Sequence, residues 1–183
     1  FGIYCFDMKG NLIWEKDLGD MNIRMAFGEG SSPALYKDYL IVNWDHEKDS
    51  CVYVLNKKNG DIIWKKNRDE KTSWSTPIVV PVKGKLQLIV SATGKSTAYN
   101  LLNGDIIWEI SGMTDNVIPS PVTDGKLVYL ISGFRGAAMQ AIRLEEANGD
   151  LKESSAVVWT YNKNTPYVPS ALLYNGRLYY LRG

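Results

Sequence analysis

The sequence predicts an all-β fold: a β-propeller segment of four-stranded antiparallel blades, three complete and two half, within a ring of seven or eight blades. Three observations predict it. A Gly-x-x-x-Trp signature recurs at Gly10/Trp14, Gly60/Trp64 and Gly104/Trp108, then in stretched form at Gly149/Trp159, with the tryptophans 50, 44 and 51 residues apart. A second element keeps the same phase: Ser32-Pro33, Thr76-Pro77, Ser120-Pro121 and Ser170-Ala171. No stretch sustains a 3.6-residue apolar period with caps, whereas Val52–Leu55 and Ile62–Trp64 are rich in β-branched and aromatic residues.

Each repeat divides into four short strands. The first follows the Ser/Thr-Pro element, and a turn such as Asp124-Gly125 or Asn175-Gly176 leads to the second, as in Lys126–Ile131 and Arg177–Leu181. The third ends at Asn59-Gly60 or Asn103-Gly104, pairs expected to supply the positive φ angles of a tight hairpin. The fourth carries the tryptophan. A lone four-stranded sheet cannot bury both apolar faces, and radial stacking of repeats does so. The recurring Trp is a plate suited to the gap between splaying blades, and small residues at the blade start suit the crowded axis.

The expected blade bounds are 21–68, 73–112 and 116–162. Residues 1–18 supply two outer strands and 166–183 two inner strands. The chain begins and ends in strand-like sequence, so it reads as a segment whose remaining blades lie elsewhere in the protein, with unpaired strand edges at both ends.

Composition narrows the function classes. Twenty-one Lys and Arg against 20 Asp and Glu give a net charge of +1, too little basic excess to favour a phosphate backbone, so nucleic acid is not an expected partner. Ile78–Val82 and Leu127–Ile131 are strand-length and too short to span a membrane. Cys5 and Cys51 lack the clustering of a zinc site or disulfide framework and read as small core hydrophobes of outer strands.

The blade motifs resemble the PQQ-like β-propeller repeat family, whose signature Ala-x-Asp-x-x-Thr-Gly-x-x-x-Trp is approximated by Val54/Asn56/Gly60/Trp64 and Ala98/Asn100/Gly104/Trp108. The copy at Cys5/Asp7/Gly10/Trp14 is one residue short, and the copy from Ala141 carries an insertion. The resemblance extends to bacterial propellers similar in architecture to the outer-membrane barrel-assembly lipoprotein, and it implies a periplasmic or otherwise extracytoplasmic location. Quinoprotein dehydrogenases of this fold hold PQQ with calcium, an Asp base and often a disulfide between adjacent cysteines. Cys5 and Cys51 are not adjacent, and no calcium-ligand grouping is recognisable here. The expectation is therefore a binding or scaffold propeller with no cofactor, presenting a loop face to a protein or polymeric ligand. The alternative is a PQQ- and calcium-dependent oxidoreductase whose catalytic residues lie outside this segment.

The candidate ligand-binding residues form two groups. Asp45, His46 and Glu47 lie between the second and third strands of a blade. There the sole histidine could titrate near neutrality or contribute to a metal site, although a solvated loop is the preferred reading. Arg68, Asp69 and Glu70 precede Trp74 on the connection into an inner strand, the ring face on which propeller ligands commonly sit. They read equally as a polar recognition patch or an inter-blade salt bridge.

Three other features carry less. Gly94-Lys95-Ser96 lacks the leading glycine and following helix of a phosphate loop. Glu145, Glu146, Asp150 and Glu153 are in the wrong order for an EF-hand and read as a solvated loop. Tyr167, Tyr174, Tyr179 and Tyr180 read as packing for a neighbouring blade rather than a contact surface. No Gly-x-Ser-x-Gly elbow is present, and one histidine leaves little room for a hydrolase triad.

Overall fold

The structure is a computed structural model describing residues 2–182. Phe1 and Gly183, the outer bounds of the expected half blades, lie outside the described residues. Its strands assemble into five antiparallel groups. The first is the hairpin of β1 (Gly2–Phe6) and β2 (Leu12–Asp17). The second is a sheet of β3 (Ala34–Tyr36), β4 (Tyr39–Trp44), β5 (Cys51–Asn56) and β6 (Ile62–Asn67). The third contains β7 (Ile78–Val82), β8 (Lys85–Val90), β9 (Ser96–Asn100) and β10 (Ile106–Ile110). The fourth contains β11 (Val122–Thr123), β12 (Leu127–Ser132) and β13 (Ala138–Arg143). Its last strand is β15 (Val157–Tyr161), after a two-residue β14 (Gly149–Asp150) that pairs elsewhere. The hairpin of β16 (Leu172–Tyr174) and β17 (Arg177–Tyr179) follows. A 3-10 turn at Arg24–Ala26 is the sole helical element of the described residues. The all-β class and four-stranded antiparallel blades expected from the repeat are observed.

Apolar side chains of successive sheets interleave between them, as stacking requires. Ile41, Val52 and Val54 of the second group pack with Leu88, Val90, Tyr99 and Leu101. The other face of that third sheet, with Ile89, Ala98 and Trp108, packs with Val128, Leu130 and Ile142. Ile131 and Met139 meet Ala171, Leu178 and Tyr180 of the final hairpin. Such tight burial of β-branched and aromatic faces provides the main stabilisation.

The repeated tryptophan works between blades. Trp14 lies on Gly60 of the next blade and Trp64 on Gly104 of the blade after. Each indole donates to a backbone carbonyl there: Trp14 Nε1 to Lys57 O at 3.0 Å and Trp64 Nε1 to Leu101 O at 2.7 Å. Trp108 is fully buried and donates instead to the Gln87 side chain within its own sheet. The Ser/Thr-Pro elements also join blades. Ser32 N donates to Thr76 Oγ1, Ser75 Oγ to Pro119 O, and Ser120 N to Ser170 Oγ, at 3.0–3.1 Å.

Four expectations are corrected. In the Asn-Gly hairpins the glycines alone are left-handed, with φ of 74° at both Gly60 and Gly104. The asparagine side chains instead accept from the amides of Asp61 and Asp105 and donate to their carboxylates. Cys51 is buried as expected, and burial raises its thiol pKa, but Cys5 is only half-buried. The insertion after Ala141 is not a free solvated loop. Its acidic side chains are exposed, yet Gly149 and Asp150 form β14 in parallel with Trp108 and Glu109 of β10, and Leu151 is fully buried beside them. Of the terminal tyrosines, Tyr180 packs against a neighbouring sheet and Tyr167 stacks on Phe134. Tyr174 and Tyr179, by contrast, are exposed.

Candidate functional site

The two candidate groups converge on one end of the sheets, where β4 and β6 finish and the connections into the inner strands begin. Asp45 immediately follows β4, and Arg68 immediately follows β6. Both are buried, and Arg68 Nε donates to Asp45 Oδ1 at 2.8 Å. Ser73 Oγ donates to the other carboxylate oxygen at 2.7 Å, and Arg68 NH1 donates to Tyr99 Oη of the next blade at 2.7 Å. Asn43 Nδ2 donates to Ser73 Oγ at 3.0 Å, extending the chain of bonds. Burial disfavours the guanidinium charge, but the Asp45 carboxylate more than offsets that and holds the Arg68 pKa above its ordinary value. The ion pair is therefore a strut within the second blade, tied to the third through Tyr99.

His46 departs from the solvated-loop reading: it is 4% exposed. Its Nδ1 accepts from Asn22 N at 3.1 Å, which assigns the neutral ring the tautomer with its proton on Nε2. Its backbone is closed by Ser50, whose Oγ accepts from His46 N and donates to the carbonyls of His46 and Glu70, all at 2.8 Å. The residue is buried because the connection from the first blade folds over it, a contact that the local string of polar residues does not reveal.

Glu47 is exposed but engaged. Its Oε1 accepts from Thr72 Oγ1 at 2.7 Å and Thr72 N at 3.2 Å. Burial raises its pKa, but the Thr72 bonds and the charges of Arg24 and Lys71 outweigh that and hold the carboxyl below its ordinary value. Glu70 behaves oppositely. Its oxygens accept from Gly94 N at 2.8 Å and Lys95 N at 2.6 Å, yet burial pushes its pKa above the ordinary value. The Gly94-Lys95 turn thus holds a carboxylate of the preceding blade. A cleft of about 360 Å³ opens here, lined by Asp69, Glu70, Lys95, Tyr99 and Glu109.

Trp74 is buried, with Nε1 donating to Gly28 O at 2.8 Å and its ring 6.4 Å from that of Phe27. It belongs to a device that the candidate list missed: the connection from β2 to β3. That connection spans sixteen residues (18–33), against ten (68–77), eleven (111–121) and ten (162–171) at later blade junctions. Its tip holds Met25 and Ala26 at φ of 53° and 56°, a left-handed conformation costly for non-glycine residues. Arg24 anchors it across two blades: Arg24 N donates to Thr72 Oγ1 at 3.0 Å and Arg24 NH1 to Asn116 Oδ1 at 3.1 Å, with Asp115 3.8 Å away. Met25 is 78% and Phe27 64% exposed. The 50-residue Trp14–Trp64 spacing was the signal that could have located this insertion.

A cavity of about 330 Å³ lies beneath the connection, lined by Met21, Ile23, Glu29, Ser31 and Trp74 among others. Among the described residues, no group of three or more His, Cys, Asp or Glu side chains is placed to hold a metal ion. Asp45, Glu47 and Glu70 already accept internal donors, so this donor set does not fit the calcium ion that accompanies PQQ. Likewise among the described residues, no helix is long and apolar enough to cross a membrane.

The family model described as outer membrane protein assembly factor BamB matches residues 48–180, and the chain belongs to that family of PQQ-type propellers. BamB from Moraxella catarrhalis superposes with a TM-score of 0.61 at 12% identity, over 93% of this chain and 46% of that one. A europium-containing methanol dehydrogenase superposes with a TM-score of 0.53 at 15% identity, over 76% of this chain and 25% of that one. At these identities the likenesses show the fold alone. The chain spans less than half the length of either neighbour. No curated protein sequence matches it.

Proposed function

We propose that the chain is part of a non-enzymatic, extracytoplasmic scaffold propeller that binds a protein partner through the loop face bearing the 18–33 connection. The observation carrying this reading is the pairing of exposure with rigidity at that tip. Met25 and Phe27 project apolar side chains into solvent from a backbone fixed by Arg24, Thr72, Trp74 and, through Asn22, His46. A preorganised apolar anchor loses little conformational entropy on docking, which is how a small contact becomes a strong one. Asp45, Arg68 and Glu70 then serve as the supporting layer. The family description, an outer membrane protein assembly factor, supports both a protein partner and an extracytoplasmic setting. Completion of a seven- or eight-bladed ring by further blades is part of the same proposal.

Site-specific photo-crosslinking in the native cell tests it. A crosslinker at Met25 or Phe27 should capture a discrete protein, whereas one at Lys58, on a hairpin tip at the opposite end of the sheets, should not. Equal capture from both positions would sink the assignment of the face. Stoichiometric PQQ uptake with calcium and dye-linked alcohol oxidation would sink the scaffold reading in favour of an oxidoreductase.

A further inference from the structure

The four tryptophan-bearing strands form the outer edges of their blades, and their edges are not protected alike. Open strand edges recruit other strands unless charge, distortion or cover prevents it. In β2, Glu15, Lys16 and Asp17 charge the edge, and in β6 Lys65 and Lys66 do so. The edge of β10 is covered by β14, with Trp108 opposite Gly149 and Glu109 opposite Asp150, and Leu151 N donating to Glu109 O at 2.9 Å. β15 has neither device. Its sequence from Val157 to Tyr161 carries no charge, and it ends its sheet without a further partner among the described residues. Val158, Trp159 and Tyr161 are 37–41% exposed.

We infer that the open edge of β15 is a strand-addition site that takes a short extended segment of a partner protein in parallel, as β10 takes β14. The internal pair supplies the recognition rules. Trp159 occupies in β15 the place of Trp108 in β10: each is paired with the alanine of the adjacent strand, Ala141 and Ala98 respectively. The incoming segment therefore needs glycine opposite Trp159, where a side chain would meet the indole, and an aliphatic residue two positions on. In the third blade that residue is Leu151, buried with Trp108, Ile110, Val128 and Leu130. Beside β15 an apolar hollow of about 440 Å³, lined by Met139, Trp159, Tyr161, Leu178 and Tyr180, offers the equivalent space. Backbone hydrogen bonds give such additions their affinity, and the side-chain pocket gives them selectivity. This site lies on the outer rim and does not depend on the connection at 18–33.

The probe is a synthetic peptide with the sequence of residues 145–153, the chain's own edge-covering segment, titrated into the isotopically labelled protein. Saturable amide shifts confined to residues 157–161 and to the side chains of the hollow are expected. The double substitution Val158→Lys and Thr160→Lys should weaken binding by at least about tenfold by charging the edge. The single Thr160→Lys variant provides the same readout should the double variant fold poorly. A peptide with leucine replacing the glycine should bind more weakly than the parent. Absence of shifts at 157–161 at millimolar peptide, or shifts that persist in the lysine variants, would overturn the inference. Shifts at 157–161 that follow protein concentration without peptide would also overturn it, by making a second copy the occupant.

Discussion

The indole of Trp64 rests on the backbone of Gly104 one blade further along the chain. A Cβ added at Gly104 would meet Trp64 Cε3 at 3.0 Å, and one at Gly60 would meet Trp14 Cε3 at 2.7 Å. The Gly and Trp of the repeat are thus partners across blades rather than within one. Gly10 and Gly149 share the positive φ but have nothing within 4 Å of that position. Gly10→Ala and Gly149→Ala should cost about 1–2 kcal/mol for the left-handed backbone alone. Gly60→Ala and Gly104→Ala should cost about another 1–3 kcal/mol for overpacking the indole. Denaturant midpoints of the four variants separate the two contributions. Equal losses at all four sites would remove the inter-blade explanation.

Arg68 and Asp45 make the second prediction. Removing one member of a buried pair strands the other charge, at a cost of about 3–5 kcal/mol. Arg68→Met and Asp45→Leu should each destabilise to that extent, while the double variant should recover much of the loss because no unpaired charge remains. A double-mutant cycle in chemical denaturation measures the coupling. Near-additive losses would show that solvent reaches the pair.

The pH dependence separates two carboxyls at the same end of the sheets. Glu70 is raised in the folded protein, so its contribution is fully present below its ordinary value of 4.5 and is lost as pH rises through the folded value. Glu47 is lowered, so its contribution is present above 4.5 and is lost as pH falls through its folded value. The melting temperature of Glu70→Gln relative to wild type should therefore climb as pH rises. That of Glu47→Gln should climb as pH falls. Thermal melts across the acid-to-neutral range check both signs, and parallel profiles for either variant would contradict the assignment.

Chain periodicity carried more of the fold than of the site. Tryptophan spacing and the Ser/Thr-Pro elements mark the blades because each repeat must present the same surface to its neighbour. Polarity misled at His46: a histidine between two acids reads as solvated, yet its Nδ1 is met by Asn22 from a different blade connection. Asp45 and Arg68 were legible as candidates but not as partners, since the ends of β4 and β6 bring them together across 23 residues. Met25 and Phe27 were missed because attention to charged residues passed over an apolar tip. The unequal spacings, 50 and 51 residues against 44, held the needed signal, since each marks an insertion with its own structural use.

Leu151 gives that last point a quantitative form. It is fully buried in the core between the third and fourth blades, and its amide donates to Glu109 O. Truncation to Ala should cost about 2–5 kcal/mol, as for other buried leucines. The same change should loosen β14 from β10, because two residues of parallel pairing cannot hold without the apolar anchor. Hydrogen exchange at the Leu151 amide should then accelerate more than exchange in β8 or β9. Glu145→Gln and Glu153→Gln, at exposed positions of the same insertion, should leave both stability and exchange unchanged. If Leu151→Ala proves as mild as these surface changes, the insertion is a solvated loop in solution, and the internal precedent for strand addition at β15 falls with it.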